Sequence, residues 1–192
     1  MKVGFIGLGS MGGPIARRIA RGGYDLVACD NDPDMLAAFD EPGVAKERDA
    51  IATARQVDVL GTCVRTGEQL EDLAGDGRLF EALGKGGTFI VHSTVEAALV
   101  RRLAEVAKAH GVDFLDIGVS GGTAVALDGG LLLLMGGDGA SSTASGRSSR
   151  PMASSSPISG RSAAAWKPRS STTSSPLPIT AWRCRCSISA RS

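Results

Sequence analysis

Beyond Asp138 the sequence contains no aspartate and no glutamate, although Arg147, Arg150, Arg161, Lys167, Arg169, Arg183, Arg185 and Arg191 all lie there. The formal net charge of +1 over 192 residues therefore hides an acidic first part and a wholly basic end. The sum by itself points to neither nucleic acid nor membrane. Long apolar runs are missing too. The first, VGFIGLG, is short and turns directly into glycines, so it reads neither as a signal peptide nor as a membrane span. The expected location is the cytoplasm, with no membrane partner. There are four cysteines. Cys29 and Cys63 lie in apolar, strand-like runs where a thiol packs as a small hydrophobe. Cys184 and Cys186 form a C-x-C pair with no His or further Cys nearby to complete a tetrahedral zinc site, so no metal is expected. The basic end has the charge of a nucleic-acid arm. Its Trp166 and Trp182, however, are not interleaved with charge as stacking platforms would be, and nucleic acid is not expected as a partner.

Up to Asp138 short β-rich runs alternate with helical stretches, the pattern of a parallel sheet with crossover helices. The strands are expected at Val3–Ile6, Leu26–Asp30, Val57–Cys63, Thr88–His92 and Phe114–Asp116, each apolar enough to be covered on both faces. The helices are expected at Met11–Arg21, Pro33–Phe39, Ile51–Gln56, Glu68–Leu73 and Val95–His110. In the last, Leu99, Leu103 and Val106 share one face and Arg101, Arg102 and Lys108 are left to water. The fold class is therefore α/β, a doubly wound parallel sheet of Rossmann type over residues 1–138. Residues 139–192, rich in Ser, Arg, Ala and Pro and without periodicity, cannot bury enough apolar surface to offset their ordering entropy and are expected to be disordered.

The run GFIGLGSMGGPIA places Gly7, Gly9 and Gly12 as G-x-G-x-x-G between the first strand and the first helix. Gly7 permits the tight turn, Gly9 lets the backbone approach a pyrophosphate, and Gly12 allows close helix–strand packing. Phosphate then meets the free N–H groups and positive dipole end of the helix, with Leu8, Ser10 and Met11 completing the loop. Pro14 falls in the opening turn, where it costs no intrahelical hydrogen bond. The second strand ends in Asp30, followed by Asn31, where a carboxylate accepts hydrogen bonds from the adenosine ribose hydroxyls. Asp30 in CDNDPD also reads as a turn or capping residue. Facing the ribose, its charge repels a 2′-phosphate. No Arg follows it to reverse that preference, so NAD is expected over NADP. The two histidines read as structural, His92 within an apolar strand and His110 at a helix C-terminus, where partial positive charge suits the dipole.

The opening MKVGFIGLGSMGGPIARRIARGGYDLVACDNDP resembles that of the β-hydroxyacid dehydrogenases, the group of 3-hydroxyisobutyrate dehydrogenase, tartronate semialdehyde reductase and 6-phosphogluconate dehydrogenase. The resemblance covers roughly the first 138 residues. It implies that the loop after the fourth strand touches the cofactor through Cys63, Val64 and Gln69 in TCVRTGEQ, and that HST places Thr94 near the nicotinamide end. Without the resemblance, Thr94 reads equally as a helix N-cap. The run DIGVSGGTAVALDGGLLLLMGGD is similar to the family's substrate-binding signature. It implies that Ser120 and the N–H groups of Gly121 and Gly122 cradle a substrate carboxylate, as adjacent unobstructed amides do for anions. Gly118 stands where hydroxyisobutyrate-type members have Pro and is more like the 6-phosphogluconate type, whereas VHSTVEAALV lacks that type's glycine-asparagine-serine turn.

The implied reaction is hydride transfer between nicotinamide and a small 3-hydroxy acid, with a homo-oligomer for full-length members. In the family a Lys in G-x-G-x-x-x-K-x-x-x-N handles the alcohol proton. No such motif occurs in this chain, so no catalytic residue is assigned; beyond Lys108 stands only Lys167, in AAAWKPRSS. The competing class is a nucleotide-binding module without catalysis. Taking the last base of each codon with the first two of the next, Ile158–Ser174 can be read as LGPLGSGLEAKVVNNL, which holds the missing motif in order. Trp166–Lys167 forces Glu in that frame, and Met152–Ala153 forces Gly. Residues after about Gly139 are therefore expected to be out of frame with the ancestral gene.

Overall fold

The computed structural model describes residues 1–136 and 182–183. In chain order its elements are β1 (Lys2–Ile6), α1 (Gly12–Arg21), β2 (Asp25–Cys29), α2 (Pro33–Ala38), β3 (Ala45–Glu47), α3 (Ala50–Ala54), β4 (Val59–Thr62), α4 (Gly67–Ala74), α5 (Arg78–Leu83), β5 (Thr88–Val91), α6 (Ala97–Ala109), β6 (Asp113–Ser120), α7 (Gly122–Leu127), β7 (Leu132–Gly136) and β8 (Trp182–Arg183). They form one sheet in the order β3-β2-β1-β4-β5-β6-β7-β8. From β3 to β6 every neighbouring pair is parallel. The order reverses between β1 and β4, and in such sheets ligands bind in the crevice outside the carboxyl ends of the strands at that point.

Alternation along each strand feeds two cores. Val3, Phe5, Leu26 and Ala28 pack beneath α1 and α2 with Ala16, Leu36 and Phe39. Ile6, Val27, Cys29, Leu60, Phe89 and Val91 pack on the other face beneath α3 to α6, against Leu70, Leu79, Phe80 and Leu103. Both faces of the parallel strands are thus covered, which is why these strands read as continuous apolar runs rather than alternating ones. Phe89 sits at the centre of the second core, edge-on to Phe80 and tilted against Phe114. On the first face Glu41 is almost buried between Arg17 and Arg21, and the Arg17 guanidinium lies over the Phe39 ring, which fastens the segment after α2 to α1.

The five expected strands and five expected helices are all present, with ends shifted by at most four residues, the largest shift being the end of β6 at Ser120 where Asp116 is expected. Three described elements before β7 have no counterpart in the sequence reading. β3 is three residues long and only partly covered, so it carries no apolar signature. α5 has the sequence RLFEAL, too short for a helical period to show. α7 is built of small residues after a glycine pair. The expectation of a parallel sheet needs one correction, since β7 runs antiparallel to β6. The segment Gly121–Leu131 turns back at the end of β6 and does not cross the sheet, and a parallel connection needs a crossover of a dozen residues or more. Trp182–Arg183 pairs antiparallel with Leu132–Leu133, a short piece of regular backbone inside the stretch for which none was expected. The edge of β7 offers unpaired backbone groups to such a partner. The other calls beyond Gly136, including Cys184, Cys186, Lys167 and the disorder of the basic stretch, lie outside the described residues. Near that edge Leu127, Leu134 and Met135 are exposed.

Candidate functional site

The glycine-rich loop is fixed from below and open above. Gly7 has φ +91°, and a Cβ there would strike the Cys63 carbonyl oxygen. A Cβ on Gly12 would collide with the Gly7 carbonyl oxygen. Gly9 differs, because a Cβ there would have no heavy atom within 4 Å. Protein packing therefore demands glycine at positions 7 and 12 but not at 9, where the missing side chain leaves space outside the protein. Backbone bonds seat the loop: Gly7 N–H donates to the Cys29 carbonyl at 2.9 Å, and Gly13 N–H to the Gly9 carbonyl at 3.0 Å. The N–H groups of Gly9, Ser10, Met11 and Gly12 have no acceptor among the described residues. α2, α3 and α4 are capped by the side chains of Asp32, Asp49 and Thr66, whereas Met11 gives α1 no side-chain cap. Unpaired donors at a helix start, facing open space, fit a diphosphate.

Asp30 follows β2 at the same edge and is half-buried. Its Oδ2 accepts the Leu8 N–H at 2.7 Å and its Oδ1 accepts the Asp32 N–H at 3.0 Å. The turn role and the ribose role weighed from the sequence are compatible. An ionised carboxylate offers about four lone-pair sites, and the protein uses two. Asn31 is exposed, and its carbonyl accepts a 3.3 Å bond from the Arg48 guanidinium, delivered by the end of β3.

The loop after β4 is pinned at three successive amides. Cys63 N–H donates to the Ile6 carbonyl, Val64 N–H to Ser93 Oγ, and Arg65 N–H to Gln69 Oε1, each at 2.9 Å. Gln69 thus shapes the loop from α4, where Thr66 accepts the Gln69 N–H at 3.2 Å. Ser93 joins the loops after β4 and β5. The sequence reading missed it, because its bond spans 29 residues. Thr94 is exposed beside it and does not cap α6, whose N-cap is Glu96. It borders a depression of about 740 Å³ between α4 and α6, also lined by Gly67, Glu68, Leu99 and Arg102. The glycine loop does not line that depression.

Ser120 closes β6, with Gly121 at φ +142° and Gly122 at φ +74°. All three are exposed, and the Gly121 and Gly122 N–H groups have no acceptor among the described residues. β6 is parallel to β1, β4 and β5, so this second glycine turn stands at the same edge as the first.

His92 sits just past β5. Its Nδ1 lies 3.0 Å from the Ile117 carbonyl, which can only accept, so Nδ1 carries the proton; the ring stacks on Phe5 at 5.8 Å. Burial lowers its pKa below the usual histidine range. It is a neutral packing residue, and His110 is the C-cap of α6. Burial pushes the Cys29 thiol up to about 11 and raises that of Cys63, so both pack as thiols. The half-buried Asp116 carboxyl is also raised by burial.

The chain matches the family model described as the NAD binding domain of 6-phosphogluconate dehydrogenase over residues 2–155. It is 33% identical to the mitochondrial 3-hydroxyisobutyrate dehydrogenase of Homo sapiens over 136 residues, 70% of this chain and 40% of that protein. Among solved structures it is similar to Mycobacterium tuberculosis 3-hydroxyisobutyrate dehydrogenase with L-serine, at TM-score 0.70 and 29% identity, covering 75% of this chain and 49% of that one. It is also similar to Psf3 in complex with NADP+ and 2-OPP, at TM-score 0.68 and 28% identity over 74% and 51% of the two chains. This chain therefore spans about half or less of the length of each of these relatives.

Proposed function

This chain belongs to the family of the NAD binding domain of 6-phosphogluconate dehydrogenase, and on that premise we propose that it is the cofactor-holding part of an oxidoreductase of the 3-hydroxyisobutyrate dehydrogenase type. The observation that carries the proposal is the glycine loop, whose amides have no acceptor among the described residues and face open space at Gly9. The bound nicotinamide cofactor would supply the transfer of hydride to and from a small 3-hydroxy acid. The amides of Gly9 to Gly12 would bind its diphosphate, and Asp30 the adenosine ribose. Cys63 and Val64 would wall the groove, with Gln69 holding their loop, and Thr94 would stand near the nicotinamide. Ser120 and the amides of Gly121 and Gly122 would hold the substrate carboxylate. Asp30 favours NAD over NADP, because a 2′-phosphate would be placed against its charge.

No residue of this chain stands in the family's proton-handling lysine motif. We therefore propose binding without turnover for this chain, with residues after about Gly139 out of frame. Titration with NAD and NADP, followed by a turnover assay on a panel of 3-hydroxy acids, tests both parts. NAD is expected to bind more tightly than NADP, and no turnover is expected. Equal affinities would remove Asp30 from the ribose, and oxidation of any 3-hydroxy acid at enzyme-like rates would overturn the loss of catalysis. Restoring the frame should recover turnover, and a gene sequence whose codons do not permit the alternative reading would end that part of the proposal. Gly118 favours a second reading, a 6-phosphogluconate-type domain. The frame-restored protein would then release carbon dioxide from 6-phosphogluconate alone.

A further inference from the structure

The charge that matters next to Asp30 comes from across the sheet. β2 and β3 pair in parallel with Val27, Ala28 and Cys29 opposite Ala45, Lys46 and Glu47. The ladder runs on for one bond, from Asp30 N–H to the Glu47 carbonyl at 3.3 Å. This register sets Arg48 beside Asp30 and Asn31, and its Nη2 donates to the Asn31 carbonyl at 3.3 Å. The approach is anchored by Glu47, whose Oε1 accepts the N–H groups of Arg48 at 2.8 Å and Asp49 at 3.2 Å. Arg48 is exposed, and one recorded bond leaves most of its five N–H donors for a ligand. The Asp30 carboxylate is turned inward by comparison, with one bond to Leu8 and one to Asp32.

A ribose held by the acid at the end of the second strand presents its 2′ position to the residue that follows, and an Arg near that point accommodates a 2′-phosphate. Here that following residue is Asn31, and the guanidinium that grips it belongs to Arg48. Resting on the cofactor reading above, we infer that Arg48 is the residue that sets how far NADP is tolerated, by pairing with the 2′-phosphate that Asp30 repels. Asp30, Asp32, Glu47 and Asp49 crowd the same corner with negative charge, so Arg48 softens the preference for NAD and does not invert it. A planar guanidinium forms charge-assisted, bidentate bonds to phosphate, which an ammonium does not reproduce.

The test is titration calorimetry of the full chain with NAD, NADP, 5′-AMP and adenosine 2′,5′-bisphosphate, for the unaltered protein, Arg48→Ala and Arg48→Lys. The expected result is that Arg48→Ala lowers the affinity for each 2′-phosphorylated ligand, relative to its unphosphorylated partner, by about tenfold or more, and that Arg48→Lys recovers part of it. Ratios that stay within about twofold of the unaltered protein, while NAD still binds, would overturn the role of Arg48 and leave the cofactor site standing. Absence of binding by the 2′-phosphorylated ligands to the unaltered protein would do the same. If NAD and 5′-AMP also fail to bind, the cofactor reading itself falls and takes the inference with it. Circular dichroism of each variant guards the comparison, since Arg48 is exposed and its loss removes no core contact.

Discussion

The two glycine turns at the carboxyl edge of the sheet are built to different degrees. In the first, Gly7 and Gly12 are wedged against the Cys63 and Gly7 carbonyl oxygens, Leu8 is tied to Asp30, and only Gly9 opens outward. In the second, a Cβ on Gly121 would meet the Val125 side chain, one on Gly122 would meet open space, and the Gly121 and Gly122 N–H groups have no acceptor among the described residues. The first turn has its geometry fixed before any ligand arrives, as the proposed diphosphate role requires. The second, proposed to hold a carboxylate, has only part of such a frame. The difference teaches that a glycine motif states where backbone comes close to something, and that packing decides whether that something is protein or ligand.

The largest break in this comparison should come from Gly12→Ala, which has no room to relax because its obstacle is backbone. A loss of roughly 2–4 kcal/mol in unfolding free energy is expected in denaturant melts. Gly9→Val should separate binding from folding: NAD affinity falls by on the order of 100-fold while the melting transition stays near that of the parent. A variant that still binds NAD normally would show the loop to be only a turn. Asp30→Ala frees the Leu8 and Asp32 amides together, so it should cost about 1–3 kcal/mol of stability and also reduce the discrimination between NAD and NADP. In the second turn Gly122→Ala should cost only about 1 kcal/mol, from its positive φ, and leave NAD affinity unaltered. A large effect there on cofactor binding would mean that the two turns are coupled.

The smallest expected effect sharpens the electrostatic side of the contrast. Burial raises the pKa of Asp116, whose side chain has no ion pair or hydrogen bond among the described residues. A raised carboxyl favours the fold below the ordinary carboxylate range, and that contribution is lost as the pH rises through the folded-state value. Asp116→Asn should therefore stabilise the domain by a few tenths of a kcal/mol at neutral pH, with the gain vanishing in acid. His92 acts in the opposite sense. Its lowered pKa favours the fold above the usual histidine range, and that contribution is lost as the pH falls through the folded-state value.

Strands buried on both faces could be read in the sequence because apolar run length alone marks them, as at Val3–Ile6 and Thr88–His92. The first glycine loop could be read because its three positions follow such a strand directly. β3 was not legible, and with it went Arg48. No Arg stands directly after Asp30 in sequence, and the one that reaches Asn31 arrives by strand pairing, 17 residues away. The Val64–Ser93 bond escaped for the same reason. In sequence Asp30 reads as either a turn residue or a ribose ligand; in three dimensions its two oxygens each accept one backbone N–H, from Leu8 and from Asp32. The reversal of β7 hinges on a short helix of small residues whose composition resembles a loop.

The side of β7 away from β6 bears on how the protein behaves in a tube. Its pairing with β8 engages Leu132 and Leu133, while Leu134 and Met135 remain exposed further along. Beyond Leu133 the outer backbone groups of β7 have no partner among the described residues; flanked by leucine and methionine, they are a template for a further strand, and the usual deterrents, lysine or proline, are absent from LLLMG. Concentration, more than temperature, is then expected to govern shelf life. Light scattering should rise with protein concentration well below the melting point, and a lysine in place of Leu134 should suppress it.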